Sequence, residues 1–134
     1  MTLPRRTMQI LIVEDTDSIR RMLEALVSAR ADEVVAVASG EEALDRALRV
    51  VPDLVLLDLN LPGLYSGIEV CTRLRADPKT RKVPIFIVSA SVDADTQLRA
   101  KQAGATHFFP KPFSPMAILK EIDAIRASGS MPPR

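Results

Sequence analysis

Five short apolar segments alternate with five segments of helical periodicity along this chain of 134 residues, which limits the folds open to it. The apolar segments are rich in β-branched or aromatic residues and span four to six positions, which is typical of strands. They cover residues 8–13, 33–38, 54–57, 85–88 and 106–109. The first four are nearly continuously apolar, as expected of central strands. The alternation favours an α/β fold, in which a mostly parallel sheet is covered by helices on both faces.

The first two helices are predicted from apolar residues that recur every three or four positions. The first spans about 17–30, with a predicted apolar stripe of Ile19, Met22, Leu23, Leu26 and Val27. In the second, Ser39 and Glu42 have the spacing of a capping box. Its predicted buried face contains Ala43, Leu44, Ala47 and Leu48.

The other three helices have more local signals. The third is predicted around Ile68, Cys71 and Leu74. The fourth, at about 93–102, is the least amphipathic, and Leu98 is nearly alone as an apolar residue for its buried face. In the fifth, Ser114 is the predicted cap and Pro115 takes the first helical position, where no intrahelical bond needs its missing N–H.

A chain of this length corresponds to one domain, which buries roughly two thirds of the surface that the unfolded chain exposes. No linker, repeat or low-complexity tract interrupts the sequence. We therefore expect one folded domain at 8–127, preceded by a flexible extension at 1–7 and followed by a disordered tail at 128–134.

The balance of charges bounds the classes of partner. Lysine and arginine number 18, aspartate and glutamate 17, so the formal net charge is +1 and no long-range field favours nucleic acid or a membrane surface. The apolar segment before Glu14 is too short for a signal peptide or a membrane span. Cys71 is the single cysteine, which excludes an intramolecular disulfide and fits a buried thiol. We expect a cytoplasmic protein that binds neither nucleic acid nor membrane.

Charged and polar residues lie at the ends of four of the predicted strands. In an open parallel sheet of this size the flavodoxin-like strand order, 2-1-3-4-5, is the common solution, and ligands bind beyond the carboxyl ends of the strands. The residues at those ends are Glu14 and Asp15, Asp58, Ser89 and Lys111. They are expected to converge on one edge of the sheet.

Three carboxylates at one edge repel one another, since two like charges about 5 Å apart repel by about 3 kcal/mol at an effective dielectric constant of about 20. The cluster needs a cation or raised pKa values. Mg²⁺ suits it, because this ion takes one or two carboxylates and keeps positions for water and a phosphate oxygen. With Asp58 as the attacking carboxylate, the ion and Lys111 would neutralise a phosphoryl group during transfer. The product would be an aspartyl phosphate.

Four segments carry these residues: ILIVEDT, LVLLDLNLPG, IFIVSAS and GATHFFPKPF. Together they resemble the receiver domain of bacterial two-component response regulators, and the resemblance extends over 8–127. It implies a phosphoacceptor that receives its phosphoryl group from a histidine kinase or a histidine phosphotransfer protein with Mg²⁺, and then changes its contacts with a downstream protein effector. No enzyme activity is implied beyond the domain's own phosphoryl uptake and loss. A monomer is expected, since residues 105–107 lack the acidic pair usual in the dimeric winged-helix regulators.

The resemblance assigns the metal site residue by residue. Asp58 matches the phosphoacceptor, and Glu14 and Asp15 match the acidic pair that organises Mg²⁺. Asp15 is expected to touch the ion directly, whereas Glu14, one carbon longer than the commoner Asp, is expected to act through water. The backbone carbonyl of Asn60 would complete the ligands from the protein.

The same resemblance assigns the residues that respond to phosphorylation. Ser89 matches the hydroxyl that moves to the phosphoryl oxygen, and Lys111 matches the ammonium that pairs with the phosphate. Phe108 matches the aromatic that rotates between states, and without a hydroxyl it would signal by burial alone. The bond between Lys111 and Pro112 is cis in the family and is predicted to be cis here.

One departure and several alternatives stay open. Five positions separate Pro62 from Gly67 where the family usually has four, so the loop after Asp58 carries one extra residue. The chain also fits a receiver cut from a longer regulator or hybrid kinase and, less well, a phosphorylation-independent binding module or an aspartyl-phosphate hydrolase. The hydrolase would need a second Asp where Asn60 stands. His107 is expected to be structural, so the donor histidine would come from a partner.

Overall fold

A parallel sheet of five strands forms the centre of the structure, a computed structural model that describes residues 7–128. The strands are β1 (Gln9–Val13), β2 (Glu33–Val37), β3 (Leu54–Leu57), β4 (Ile85–Ser89) and β5 (His107–Pro110). The helices are α1 (Asp17–Val27), α2 (Gly40–Arg49), α3 (Gly67–Ala76), α4 (Ala94–Gln102) and α5 (Pro115–Ser128). The strand order is β2-β1-β3-β4-β5, which confirms the predicted flavodoxin-like α/β fold.

The sheet has a hydrophobic core on each of its faces. Side chains alternate between the two faces of a strand, so Val55 and Leu57 of β3 pack with α2, α3 and α4, while Leu54 and Leu56 pack with α1 and α5. All four side chains are at most 1% exposed. A strand that is buried on both faces has to be apolar at every position, which explains the continuous apolar run of β3. The strand that leads to Asp58 is therefore held firmly on both sides.

The expectation of burial is wrong for β2 and for three helical residues. β2 lies at the edge of the sheet, so most of its side chains are half-buried in spite of an apolar sequence. Met22 is 56% exposed, Leu48 42% and Leu98 52%. In α4 the small Ala100 is buried in the core instead of Leu98. Periodicity gives the direction of an apolar stripe but not its width, which depends on how close the helix lies to the sheet.

Every strand begins and ends within one residue of its predicted position, and the helices differ from the prediction at the ends of α1 and α5. α1 ends at Val27 instead of at 30, because the chain turns there and the amide of Arg30 donates to the carbonyl of Val27. α5 extends through Ser128, one residue beyond the predicted domain. Residues 1–6 and 129–134, where a flexible extension and a disordered tail were predicted, lie outside the described residues. At these lengths, none of the helices within the described part is long and apolar enough to span a membrane.

Several local predictions are confirmed. The hydroxyl of Ser39 accepts from the amide of Glu42 at 3.2 Å, and Ser114 accepts from the amide three residues later, also at 3.2 Å. Cys71 is buried, and burial raises the pKa of its thiol to about 11, so the thiol is unreactive at neutral pH. The Lys111–Pro112 peptide bond is cis.

Gly67, the first residue of α3, brings that helix against the chain that follows Asp58. Its amide donates to the carbonyl of Leu59 at 3.0 Å. A Cβ at this position would overlap the carbonyl oxygen of Asp58 and lie 2.5 Å from Cα of Leu59, and both are backbone atoms. The start of α3 thus supports the backbone that carries Asp58.

Gly67→Ala is expected to lower the free energy of unfolding by about 1–3 kcal/mol, because a methyl group forced against backbone atoms has no flexible side chain to displace. Urea unfolding followed by circular dichroism measures the change. The matched control is Thr72→Ala at an exposed position of α3, for which a change within about 0.5 kcal/mol is expected. Equal stabilities of the two variants would contradict the close packing at Gly67.

Candidate functional site

Three carboxylates lie together at the carboxyl edge of the sheet. Glu14 and Asp15 follow β1, and Asp58 follows β3, the neighbour of β1. The amide of Glu14 donates to the carbonyl of Val37 at 3.0 Å, and the amide of Asp58 donates to the carbonyl of Val13 at 3.0 Å. Both residues therefore continue the hydrogen bonding of the sheet. One carboxylate oxygen of each acidic residue lies within 4.8 Å of the other two. The structure thus brings together the acidic residues that were expected at this edge.

Lys111, which follows β5, lies inside this cluster. Its Nζ donates to Oε1 of Glu14 at 2.6 Å and to Oδ2 of Asp58 at 3.1 Å. Its backbone amide donates to the carbonyl of Ser89 at 2.9 Å, which ties the residue to the end of β4. Burial lowers the pKa of Lys111, but the carboxylates of Glu14 and Asp58 outweigh that effect, and the pKa is raised. The side chain therefore stays an ammonium and neutralises part of the cluster.

The remaining negative charge fits a divalent cation. Glu14 and Asp58 are buried, at 1% and 5% exposure, whereas Asp15 is exposed. Burial raises the pKa of Glu14, and the bonds from Lys111 and from the amide of Thr16 offset part of that shift. When the three carboxylates and the one ammonium are all ionised, two negative charges stay unbalanced. A donor set made only of oxygens with this charge fits Mg²⁺.

The loops after β3 and β4 meet beside the carboxylate of Asp58. The amide of Asn60 donates to Oδ1 of Asp58 at 3.2 Å, and Nδ2 of Asn60 donates to Oγ of Ser91 at 3.3 Å. Ser89 is buried, and its Oγ accepts from the amide of Ser91 at 3.1 Å. The hydroxyl of Ser89 thus satisfies a backbone donor, and its own O–H remains a donor group.

The two phenylalanines of β5 face opposite sides of the sheet, because side chains alternate along a strand. Phe109 is buried in the core beside α1 and α5, and Phe108 is half-buried against the core on the side of α2, α3 and α4. Phe108 also lines a cavity of about 310 Å³ together with Leu98 of α4. His107 pairs with α5, where its Nε2 lies 2.8 Å from Oε2 of Glu121. This contact between β5 and α5 fits the structural role expected of His107.

Two further residues at the site have no strong pattern in the sequence. Arg20, in the first turn of α1, donates to the carbonyl of Glu14 at 3.1 Å. The signal for Arg20 is its spacing of three from Asp17, with which it forms an ion pair. Glu41, in the first turn of α2, binds the loop after Asp58. Its partners lie 23 and 24 positions away in the chain, so no local spacing marks it.

Glu41 fastens the loop that carries the extra residue. Its Oε1 accepts from the amides of Leu64 and Tyr65, each at 3.2 Å. Gly63 lies in the left-handed region at φ 86°, and a Cβ there would lie 2.7 Å from Oε2 of Glu41. The guanidinium of Arg73 in α3 lies 4.4 Å from the centre of the Tyr65 ring. The loop is thereby held against α2 and α3, while Leu64 is left 71% exposed.

Glu41→Ala is expected to release this loop, because the amides of Leu64 and Tyr65 lose the acceptor that they share. Native-state hydrogen exchange at these two amides, measured by NMR, should become about fivefold faster, which corresponds to a net contribution of about 1 kcal/mol. The control is Asp45→Ala, which removes an exposed carboxylate from the same helix. Exchange at Leu64 and Tyr65 that is the same in both variants would mean that Glu41 does not hold the loop.

A parallel sheet in the order β2-β1-β3-β4-β5, with acidic residues and a lysine at its carboxyl edge, is the architecture of a receiver domain. The family model for the response regulator receiver domain matches residues 10–123. The chain therefore belongs to the family of response regulator receiver domains of two-component signalling. The resemblance drawn from the four sequence segments is confirmed.

In sequence, the chain is similar to parts of longer regulators. It is 32% identical over 117 residues to the response regulator PleD of Caulobacter vibrioides, covering 87% of this chain and 26% of PleD. It is 35% identical over 116 residues to the DNA-binding response regulator MtrA of Mycolicibacterium smegmatis, covering 87% of this chain and 49% of MtrA. The chain thus spans about a quarter of one relative and about half of the other.

In structure, the chain is similar to a receiver domain that holds a magnesium ion. The receiver domain of the sensor histidine kinase PA1611 from Pseudomonas aeruginosa has a TM-score of 0.79 and 28% identity, covering 89% of this chain and 97% of that chain. In that structure the ion is coordinated in the active-site cleft. In this chain, the acidic cluster of Glu14, Asp15 and Asp58 is the place to test for metal binding.

Proposed function

We propose that this chain is a phosphoacceptor receiver of a two-component phosphorelay. Asp58 takes a phosphoryl group from a histidine kinase or a histidine phosphotransfer protein with Mg²⁺, and the modified domain changes its contacts with a downstream protein effector. The proposal is carried by the position of Lys111, whose Nζ lies 3.1 Å from Oδ2 of Asp58 inside a cluster of three carboxylates. An ammonium at that point is suited to pair with the oxygens of a phosphoryl group on Asp58.

Asp58 has the surroundings of an oriented nucleophile. The amide of Asn60 bonds Oδ1 and the ammonium of Lys111 bonds Oδ2, so the plane of the carboxylate is set. During transfer from a phosphohistidine, one carboxylate oxygen forms a bond to phosphorus while the P–N bond breaks, and the electron pair returns to the imidazole of the donor. Lys111 then donates to the phosphoryl oxygens.

The proposed ligands of Mg²⁺ are Asp15, Asp58, the backbone carbonyl of Asn60 and, through water, Glu14. Asp15 is the exposed member of the acidic cluster and is available for direct contact. Oε1 of Glu14 is held by Lys111 at 2.6 Å, which suits a residue that reaches the ion through water. When bound, the ion supplies positive charge against the phosphoryl oxygens and relieves the repulsion among the carboxylates.

Ser89 and Phe108 are proposed to carry the signal to the surface. The hydroxyl of Ser89 would donate its O–H to a phosphoryl oxygen on Asp58. Phe108 borders the cavity of about 310 Å³ beside α4, and we propose that its ring rotates at this cavity. A rotation there alters the surface formed by α4, β5 and α5, to which the downstream effector is proposed to bind.

The wider predictions on partners and context stay predictions. Receiver domains are signalling modules, and we propose that this one catalyses only its own phosphoryl uptake and loss. The relative MtrA is a DNA-binding regulator, so the prediction that this chain has no nucleic-acid partner is not confirmed. A cytoplasmic location is proposed. A monomeric state is proposed because residues 105–107 lack the acidic pair of the dimeric winged-helix regulators. A receiver within a longer regulator is the second candidate, since the chain is similar to only a part of PleD and of MtrA.

Acetyl phosphate with Mg²⁺ is expected to add one phosphoryl group that survives acid and is lost in base, as acyl phosphates do. Asp58→Asn removes the attacking carboxylate and should abolish the labelling, and chelation of the metal should suppress it in the unchanged protein. Intact-protein mass spectrometry measures the uptake. Asp45→Asn, at an exposed position of α2, is the control and should be labelled fully. Labelling that persists in Asp58→Asn would contradict the assignment of Asp58 as the phosphoacceptor.

Ser91→Lys is expected to slow the hydrolysis of phosphorylated Asp58 severalfold. We propose that water reaches phosphorylated Asp58 between Asn60 and Ser91, whose side chains lie 3.3 Å apart, and the longer side chain would stand in that path. The decay of the phosphorylated form by mass spectrometry gives the rate. Thr72→Lys, on the exposed side of α3, is the control. If Ser91→Lys loses its phosphoryl group as fast as Thr72→Lys, the two loops do not line that path.

A further inference from the structure

Arg20 contacts the backbone of the acidic pair from the first turn of α1. Its Nη1 lies 3.1 Å from the carbonyl oxygen of Glu14 and 3.5 Å from that of Asp15. Its Nη2 forms an ion pair with Oδ1 of Asp17 at 2.5 Å. The Arg20 side chain is 20% exposed, against 72% for Asp17. A guanidinium with five donors in a rigid plane can hold such a set of acceptors at once.

These contacts act on the segment that leaves β1 and carries two of the proposed metal ligands. Glu14 is fixed to the sheet through its amide, but Asp15 is exposed and lies beyond the last strand position. Arg20, which lies in α1, binds the carbonyl oxygens of Glu14 and Asp15. The segment is thus tied both to the sheet and to the helix that follows it. The carboxylate of Asp17 holds the guanidinium in that orientation.

Charge and position have opposite effects on cation binding at this point. A positive charge near three carboxylates weakens the attraction of the site for a divalent ion. Holding the ligands in place strengthens binding, because residues that orient metal ligands change metal affinity by about 10- to 100-fold when they are removed. The sign of the effect of removing Arg20 therefore tells which of the two contributions is larger.

We propose that Arg20 is a positioning residue for the metal site: its bonds to the carbonyls of Glu14 and Asp15 hold the acidic segment in the shape that binds Mg²⁺, and this effect outweighs its repulsion of the ion. The inference rests on the proposed function, since it takes the acidic cluster to be a Mg²⁺ site. It adds a residue that touches neither the ion nor the phosphoryl group.

The test is the dissociation constant of Mg²⁺ alone for the full chain, measured by isothermal titration calorimetry. Arg20→Ala is expected to weaken binding about tenfold. Arg21→Ala removes the same charge from the next, exposed position and is expected to leave the affinity unchanged or to increase it. Arg20→Lys keeps the charge but not the planar fork, so any loss of affinity in this variant comes from position; a severalfold loss is expected.

Three outcomes overturn the inference. They are an Arg20→Ala variant that binds Mg²⁺ as tightly as the unchanged protein or more tightly, an equal loss in Arg21→Ala, and an unchanged affinity in Arg20→Lys. Thermal unfolding distinguishes positioning of the metal site from a merely structural role. If Arg20 is merely structural, Arg20→Ala lowers the melting temperature but leaves the Mg²⁺ affinity unchanged. Should Arg20→Ala fail to fold, Arg20→Lys decides. If the unchanged protein binds no Mg²⁺, the inference and the proposed function both fail; if it binds Mg²⁺ and Asp58 is labelled, only the inference is at stake.

Discussion

Repulsion among three carboxylates at one end of the sheet is the constraint on which the arrangement of this molecule depends. Glu14, Asp15 and Asp58 approach within 4.8 Å of one another, and like charges at that separation repel by about 3 kcal/mol at an effective dielectric constant of about 20. Lys111 bonds two of them, which requires β5 to end at the same edge as β1 and β3. The parallel orientation of all five strands meets that requirement, and the strand order sets β1 directly beside β3.

The apolar interior provides the stability that opposes this repulsion. Burying one Leu or Ile side chain contributes about 1.5–3 kcal/mol, so a few residues of the central strands outweigh the charge cluster. The same strands set its precision, since Asp58 still bonds the backbone of β1 through its amide. Gly67 adds support from α3, where only a hydrogen fits against the backbone after Asp58. The carboxylate is thus carried by buried elements and not by a free loop.

Residues whose position follows from chain order were predictable from the sequence. Asp58 was located because a continuous apolar run ends there, and Lys111 because the fifth strand has to end beside it. Contacts between distant elements were not predictable in this way. The bond that the amide of Leu64 donates to Glu41 joins a loop to the first turn of α2 without a shared sequence pattern, and the exposure of Leu98 depends on how α4 lies on the sheet. Local spacing fixes which face of an element is apolar, and tertiary packing decides what that face meets.

The length of Glu14 connects the acidic pair with the reactivity proposed for Asp58. The shorter of the two bonds from Lys111 goes to Glu14, at 2.6 Å, and the longer goes to Asp58, at 3.1 Å. A carboxylate one carbon shorter would reach less far, and the ammonium would then bond mainly to Asp58, the proposed nucleophile. With Glu at this position the lysine is anchored by a residue that does not react. In the proposed transfer, Lys111 would turn from Asp58 to an incoming phosphoryl group while keeping its bond to Glu14.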